Sequence, residues 1–323
     1  MDRETAWMEF HSAAAPLREQ FRQQAAAHLA KNKETLELAV QEAAGKIKEQ
    51  MEGLGKEYIS FLYGSVLKSD LIKGKYRFYF HAMTLQWYVD EEPAEAYVDA
   101  AELLHPLAEF REKLETESRR FNGNINKYDV WTVVFEELTS LDAAISVILR
   151  YQLMDWEKKG IFSGLSLAPY WIFKWGEYRG QTQFILAVDR VPKEDDAWEN
   201  EMKKAEKDKE ALVFGYWYQG ECKDSRLSDK DMRFSVFEQC CILGFVFAGC
   251  NMEGCRFPGS RIADTSFEEC CLKGADFTGS KLERVSFAGA ELTGTRFLAG
   301  QVPFLDLSPD QLQEIEMVRE EQA

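Results

Sequence analysis

The sequence lacks the features that mark several functional classes. No stretch of the 323 residues is apolar for long enough to span a bilayer as a helix. The four histidines are scattered and none of the seven cysteines belongs to a C-x-x-C pair, so we expect no metal site. Motifs for a nucleophilic serine, a P-loop, a zinc protease or a dinucleotide are also missing. We therefore expect no catalytic residues and no cofactor, and we expect that the protein is not an enzyme.

Positive charge is also in short supply. Lys and Arg number 39 against 55 Asp and Glu, which gives a net charge of −16. This balance argues against a surface that binds phosphates, so we expect no direct contact with nucleic acid. The N-terminus, MDRETAWMEF, has no positive start followed by an apolar core. We therefore expect no secretory signal and no membrane partner, and a cytoplasmic location is the default expectation.

What is present, 46% hydrophobic and 29% charged residues, is typical of a folded protein with more than one domain. A stripe with steps of three or four residues from Leu36 to Leu54 predicts a helix. KYRFYFHA and the following TLQWYVD predict a strand pair over about 75–90. The acidic DEEP at 90–93 predicts the start of a helix.

Further helices are predicted over about 93–120, with a kink at Pro106, and over 127–153. The segments 183–189 and 211–218 have the composition of strands, and they flank a charged helical stretch that we interpret as solvated. The first 225 residues are thus predicted to form a mainly α-helical α+β domain.

Two groups of residues in this domain have chemistry that could serve a function. The acids Glu136, Glu137, Asp142 and Asp155 lie on a predicted amphipathic helix, where solvated charge is a more ordinary interpretation than general acid catalysis. The segment YWIFKWGEYRG at 170–180 is rich in aromatic residues. Such a cluster lines a ligand groove or packs in a core, and the sequence leaves both open.

From Phe237 onward an apolar residue stands at every fifth position. The residue two positions earlier is small or β-branched in every repeat except the one with Phe245, and glycine follows two positions later in eight repeats. The thirteen centres in unbroken register are Phe237, Ile242, Phe247, Met252, Phe257, Ile262, Phe267, Leu272, Phe277, Leu282, Phe287, Leu292 and Phe297.

A period of five fits neither a helical stripe nor the alternation of one strand. It fits a chain that turns a corner every five residues, with glycine where a turn needs a positive φ. Four corners return the chain above its start, so twenty residues make one square coil, and coils stack about 4.8 Å apart. Grouping the centres by twenty predicts two phenylalanine stacks on opposed walls, separated by stacks of aliphatic residues.

These thirteen repeats resemble the pentapeptide-repeat family over about residues 235–299. The resemblance implies a multidomain fold: an N-terminal mainly α-helical (α+β) domain at 1–225, a short right-handed quadrilateral β-helix at 230–303, and a C-terminal capping helix at 304–323. A non-repetitive domain containing YISFLYGSVLKSDLIKGKYRFYFHAMTLQWYVDEE, followed by short repeats, also resembles uncharacterised bacterial two-domain pentapeptide-repeat proteins.

Cysteines occupy several positions of the repeats. Cys250 and Cys270 fall in the same inward column one coil apart, where a disulfide is conceivable but a cytoplasmic protein favours two free thiols. Cys241 and Cys271 point outward in this register and are the candidates for reactive thiols. The bulky Phe245 predicts a widened end of the solenoid that packs on the N-terminal domain.

The C-terminal segment LSPDQLQEIEMVREEQ predicts an acidic helix with Ser308 as its N-cap. Leu312, Ile315 and Val318 would seal the open end of the solenoid. In some family members a C-terminal helix makes a dimer instead. The sequence leaves this alternative open, together with a homodimer through the N-terminal domain.

The first functional hypothesis is a non-catalytic adaptor that contacts another, unidentified protein. The second follows from the resemblance, because some family members protect DNA gyrase by imitating duplex DNA. That imitation needs a long and strongly negative rod, whereas residues 230–303 carry eight Lys/Arg and nine Asp/Glu, and the repeats predict roughly 15 Å of axis. The third hypothesis is an enzyme within residues 1–225.

Overall fold

The computed structural model describes residues 2–193, 197–208 and 210–319. The chain divides into two compact units, Met1–Leu186 and Ala187–Ala323. The first unit combines helices with a five-stranded sheet and the second contains the repeats, so the predicted combination of an α+β region and a β-helix is confirmed. Within the described residues, no helix has the length and apolar character that crossing a membrane requires.

Five helices belong to the first unit. They are α1 (Arg3–Lys31), α2 (Lys33–Leu54), α3 (Lys68–Ile72), α4 (His105–Ser118) and α5 (Lys127–Gln152). The stripe that begins at Leu36 forms the buried side of α2, and α2 ends where Gly55 takes a left-handed conformation with φ 64°. A capping box between Asn126 and Asp129 starts α5, so the helix predicted over 127–153 is confirmed.

The sheet of the first unit is mixed. Its strands are β1 (Ile59–Val66), β2 (Arg77–Met83), β3 (Ala94–Asp99), β4 (Leu167–Gly176) and β5 (Thr182–Asp189), in the spatial order β3-β2-β1-β4-β5. β2 is antiparallel to both β1 and β3, whereas β4 is parallel to β1. The strand predicted over 183–189 is confirmed as β5.

Three predictions for residues 84–106 are wrong. The partner of β2 in the hairpin is β3, because the buried Ala94, Ala96 and Val98 alternate along a strand, whereas the segment 87–89 is a single 3₁₀ turn. No helix starts at the acidic DEEP motif, since pairing with β2 overrides the local helix signal. Pro106 lies in the first turn of α4, where it needs no hydrogen-bond donor, and therefore causes no kink.

The two faces of the sheet differ in chemistry because successive side chains alternate between them. One face is apolar and buries Phe78, Phe80 and Phe173 completely; Trp175 on this face donates a hydrogen bond to Asp142 of α5 at 2.8 Å. The other face carries Tyr63 opposite His81, beside the pair of Ser65 and Tyr79. A mixed sheet of this kind can keep its second face for contact with other molecules.

The second unit contains α6 (Ala197–Lys207), α7 (Pro309–Glu314) and a series of three-residue strands. The strands are β6 (Tyr216–Tyr218), β7 (Glu221–Lys223), β8 (Arg226–Ser228), β9 (Val236–Glu238), β10 (Cys241–Leu243), β11 (Val246–Ala248), β12 (Arg261–Ala263), β13 (Ser266–Glu268), β14 (Lys281–Glu283), β15 (Arg296–Leu298) and β16 (Glu316–Val318). The strand predicted over 211–218 is only partly confirmed, because only its last three residues form a strand, β6.

Parallel pairing stacks these strands with a spacing of twenty residues. One ladder joins six residues from bottom to top: Tyr216, Val236, Arg256, Asp276, Arg296 and Glu316. The solenoid therefore has about five turns, more than the three and a quarter predicted from thirteen repeat centres. The additional first coil begins at Trp217 and continues through Cys222, Leu227 and Met232, all of them buried.

The first coil escaped sequence analysis because its turns lack glycine. Gln219, Asp224, Asp229 and Phe234 occupy the turn position with positive φ of 43° to 59°. In the next coil, the same position is filled by glycine at Gly244, Gly249 and Gly254 in three turns out of four. Asp tolerates the left-handed region better than most residues, but it gives a weaker sequence signal than glycine.

Candidate functional site

The repeat centres fill the interior of the solenoid. Twelve of the thirteen centres found in the sequence have no exposed surface, and Leu282 packs against them while partly buried. The buried side chains form one continuous hydrophobic cluster from Leu212 to Phe297. Because the interior is occupied by side chains, molecules can bind the solenoid only at its outer faces and its two ends.

The phenylalanine centres form two stacks along the axis. Neighbouring rings within a stack are nearly parallel, with centroids 4.6 Å apart for Phe257 and Phe277 and 5.1 Å apart for Phe247 and Phe267. The prediction that aliphatic residues separate the stacks is wrong. Rings of the two stacks meet nearly edge to face at 5.4–6.4 Å, as for Phe277 and Phe287, because this geometry suits aromatic quadrupoles.

All seven cysteines are free thiols. The hydrogen bond between Cys250 and Cys270 lowers the pKa of Cys250 to about 7 and raises the pKa of Cys270. Both side chains are buried inside the column of small residues, which separates this pair from solvent oxidants. Among the described residues, no cluster of His, Cys, Asp and Glu has the arrangement of a metal site.

Charged side chains on the outer faces pair with one another between coils. Arg284 contacts Asp264 with Nε and Oδ1 2.5 Å apart, and Arg296 contacts Asp276 at 2.8 Å, in each case across twenty residues. Arg261 and Glu283 form a similar pair at 2.9 Å. Since these pairs join neighbouring coils, the faces present neutralised ion pairs rather than a run of negative charge.

The C-terminal end of the solenoid is only partly closed. β16 pairs with β15 and buries Val318, and α7 begins with the predicted capping box of Ser308 and Gln311. The prediction that Leu312 helps to seal this end is wrong, because 44% of its surface is exposed. α7 has six residues and ends before Ile315, which packs against the solenoid core as predicted, so Ile315 and Val318 help to close this end while Leu312 does not.

The family model described as pentapeptide repeat region matches residues 221–297. These residues are a pentapeptide-repeat region. The match begins sixteen residues before Phe237, the first of the thirteen centres, and agrees with the additional coil found in the structure. No curated protein matches the sequence.

Two solved structures are similar to part of this chain. One is a pentapeptide repeat protein from the thylakoid lumen of Arabidopsis thaliana, with 17% identity, coverage of 34% of this chain and 79% of that chain, and a TM-score of 0.17. The other is QnrB1, a plasmid-mediated fluoroquinolone resistance protein, with 16% identity, coverage of 27% and 57%, and a TM-score of 0.15.

The N-terminal end of the pentapeptide-repeat region is covered by α6. Trp198 of α6 contacts Trp217 with ring centroids 5.1 Å apart and Phe245 at 5.9 Å, while Ala205 is fully buried. Phe245 packs against this tryptophan, which belongs to the second unit and not to the N-terminal unit on which Phe245 was predicted to pack. One face of α6 packs on the first coil, and the charged residues lie mainly on the other, solvent-exposed face, which agrees with the prediction of a solvated helix face.

Glu137 and Asp142 of α5 are buried and partnered, so their interpretation as solvated charge is wrong, whereas Glu136 is exposed as that interpretation expects. Glu137 is 1% exposed and accepts hydrogen bonds from Arg22 at 2.7 Å and 2.9 Å. Burial raises the pKa of Asp142 to about 7, although the hydrogen bond from Trp175 opposes this change. Both carboxyl groups are enclosed by protein side chains, which is an arrangement for structure rather than for contact with a substrate.

The aromatic segment 170–180 serves both roles that the sequence left open. Trp171 and Trp175 are buried in the core of the first unit. Tyr178, which is 38% exposed, lies instead beside His81 and Tyr79 on the opposite face of the sheet. The alternation of a strand explains this division, which the sequence could not assign without knowing the face of each residue.

Proposed function

We propose that this chain is a non-catalytic protein that binds another protein through the C-terminal end of its solenoid. The observation that carries this proposal is the exposure of large apolar side chains there: Phe304 is 86% exposed, Met317 59% and Leu312 44%. All three belong to the segment that follows the last repeat centre, and exposed large apolar side chains are typical of a protein-binding surface. We call these three residues the C-terminal apolar patch.

A free strand edge lies beside the C-terminal apolar patch. β16 is the last strand of its ladder among the described residues, and a terminal strand presents backbone donors and acceptors that can pair with another chain. Partner binding would cover apolar side chains and pair this edge at the same time. Both contributions favour a protein partner over a small molecule.

The segment that contains the C-terminal apolar patch is acidic, which indicates the charge expected of the partner. Residues 304–323 contain six Asp and Glu but one Arg. A two-fold contact between two copies would place acidic surfaces opposite each other, which costs free energy. We therefore infer a different protein with basic residues around an apolar pocket, acting as partner of a monomeric adaptor.

Affinity capture from a lysate of the source organism tests this proposal. The proteins that the natural chain retains are compared with the proteins that the Phe304→Asp variant retains. Leu85→Asp is the matched control, because Leu85 is 71% exposed in the first unit. We expect Leu85→Asp to retain the partner and Phe304→Asp to lose it. Equal retention of the partner by both variants, or the absence of a specific partner, would overturn the proposal. If the natural chain instead forms a dimer whose population depends on concentration, the partner is a second copy of this chain.

The alternative of DNA imitation has less support. The described solenoid, residues 216–318, carries sixteen Asp/Glu and ten Lys/Arg, a net charge of −6. Five turns span roughly 24 Å, a length over which duplex DNA carries roughly 14 negative charges. Ion pairs between coils also alternate positive with negative charge along the outer faces. We expect no effect of the protein on gyrase supercoiling or on its inhibition by quinolones at micromolar concentration.

A further inference from the structure

A small cleft opens on the polar face of the sheet in the first unit. Its volume is about 140 Å³, below the roughly 300–1,000 Å³ of clefts that hold drug-sized ligands, so its occupant would be small. The rings of Tyr63, Tyr79, His81 and Tyr178 contribute to its walls. We call this site the His81 cleft.

One nitrogen of His81 lacks a hydrogen-bond partner. The side chain is 8% exposed, and its Nδ1 is fully buried without a partner among the described residues. Tyr63 and Tyr79 lie on either side of the imidazole, with ring centroids 5.1 Å and 5.3 Å away. Since buried polar atoms are nearly always hydrogen-bonded, an unpaired nitrogen in a residue that lines a cleft points to a ligand atom as its partner.

The charge next to this nitrogen is positive. Burial, and then the nearby Arg179 guanidinium, lower the pKa of His81 to about 4, so the imidazole is neutral at pH 7. Arg179 is exposed, lies 5.3 Å from the centroid of the Tyr178 ring, and has no carboxylate partner in the part of the chain that the structure describes. An anionic group in the cleft would therefore meet both an unpaired cation and an unpaired ring nitrogen.

Most acids near the cleft are already engaged. Asp90 pairs with Lys56, Glu177 pairs with Lys68, and Glu95 accepts the hydroxyl hydrogen of Tyr79 at 2.6 Å. Glu91 is the acidic lining residue that has no cation beside it among the described residues. It would repel a second negative charge on the ligand, so the cleft favours one anionic group over two.

We propose that the His81 cleft binds a small monocarboxylate with a planar apolar body. The carboxylate accepts hydrogen bonds from His81 Nδ1 and the Arg179 guanidinium, while the body of the ligand contacts the tyrosine rings. This binding activity goes beyond the proposed protein-binding function, because all lining residues belong to the first unit and the C-terminal apolar patch belongs to the second.

Binding should be coupled to protonation of His81. A bound carboxylate favours the imidazolium, whereas Arg179 disfavours it. The acids Asp90, Glu91 and Glu177 also line the cleft, and Glu95 accepts the hydroxyl hydrogen of Tyr79 beside the ring. The complex therefore takes up a proton, and affinity rises as pH falls from 8 towards 5. A residue that only supports the fold would not produce this pH profile.

Isothermal titration of the full chain tests the proposal with benzoate, the uncharged benzamide and the doubly charged phthalate as probes. We expect saturable binding of benzoate at millimolar or lower concentration and at least about tenfold weaker binding of the other two. Arg179→Gln should weaken benzoate binding about tenfold, whereas Arg119→Gln, an exposed arginine outside the cleft, should not.

Three results would overturn the proposal. They are the absence of saturable benzoate binding to the natural chain, equal affinity for benzoate and benzamide, and unchanged benzoate affinity in Arg179→Gln. His81→Gln provides a second variant, with circular dichroism as the check of folding. A folded His81→Gln protein should lose the pH dependence of benzoate affinity, and retention of the natural pH profile would also contradict the assignment.

Discussion

At the scale of single residues, burial decides what each polar or aromatic side chain contributes. Asp142 is 9% exposed and shares one hydrogen bond with Trp175, so its carboxyl is easier to bury in the neutral form than as a carboxylate. Phe267 has no exposed surface, whereas Phe304 is 86% exposed. The same residue type therefore stabilises the fold at one position and is available for binding at the other.

The pH dependence of stability should reflect Asp142. Its folded-state pKa of about 7 lies above the ordinary 3.8, so its stabilising contribution is complete below pH 3.8 and is lost as pH rises through 7. An asparagine at position 142 keeps a side-chain oxygen that accepts the hydrogen bond from Trp175 but carries no negative charge. We expect Asp142→Asn to raise the free energy of unfolding at pH 8 by about 1–3 kcal/mol and to leave it nearly unchanged at pH 4. Urea unfolding at both pH values provides the measurement, and equal effects at both would contradict the explanation.

A matched pair of phenylalanine substitutions tests the interior stacks. Phe267 lies between Phe247 and Phe287 at 5.1 Å and 5.5 Å, so Phe267→Ala should lower the free energy of unfolding by about 3–5 kcal/mol. Phe304→Ala should change it by less than about 0.5 kcal/mol because the ring is exposed. Denaturant unfolding of both variants checks the difference, and similar losses would show that Phe304 is part of the core.

At the scale of elements, the turns of the solenoid determine whether one coil can follow another. Glycine supplies a left-handed turn at Gly249, with φ 60°. A Cβ atom at this position would lie 2.8 Å from Oδ1 of Asp229 in the coil below. Close stacking of turns therefore adds a steric requirement to the conformational one.

Two glycine-to-alanine substitutions compare a turn position, where the structure requires glycine, with a helix position, where alanine is the more stable residue. Gly249→Ala should lower the free energy of unfolding by about 1 kcal/mol or more, because it combines positive φ with close contact. Gly53→Ala in α2 meets no atom within 4 Å, and should raise stability by about 0.5–1 kcal/mol. Thermal unfolding of both proteins provides the test, and the same sign of change for both would refute this explanation of the turns.

The sequence predicted those elements whose signal is local and missed those that depend on partners. Glycine turns and regularly spaced apolar centres identified the coils after Phe237, whereas the first coil has Gln219 and Asp224 in its turns and resembles an ordinary loop. β3 follows a motif that locally favours a helix, and only its pairing with β2 makes it a strand. Of the candidate binding surfaces, Tyr178 was noted as an aromatic residue, but His81 joins it only through the register of β1 and β2.

At the scale of the whole molecule, each unit has one surface that its own residues leave incomplete. In the first unit this surface is the His81 cleft, where a buried nitrogen lacks a partner. In the second unit it is the C-terminal apolar patch, where α7 leaves Leu312 and Met317 exposed beside the last strand. A small ligand suits the first and a protein suits the second, so the two surfaces can be tested separately.

Photocrosslinking at position 304 in cells tests the central claim that another protein covers the C-terminal apolar patch. A benzophenone amino acid replaces Phe304 in one variant and the similarly exposed Leu85 in the control, so both probes start from solvent-exposed positions. The proposed function predicts a discrete protein adduct from position 304 and none from position 85. Absence of any adduct from position 304, while the chain is present and folded, would contradict it.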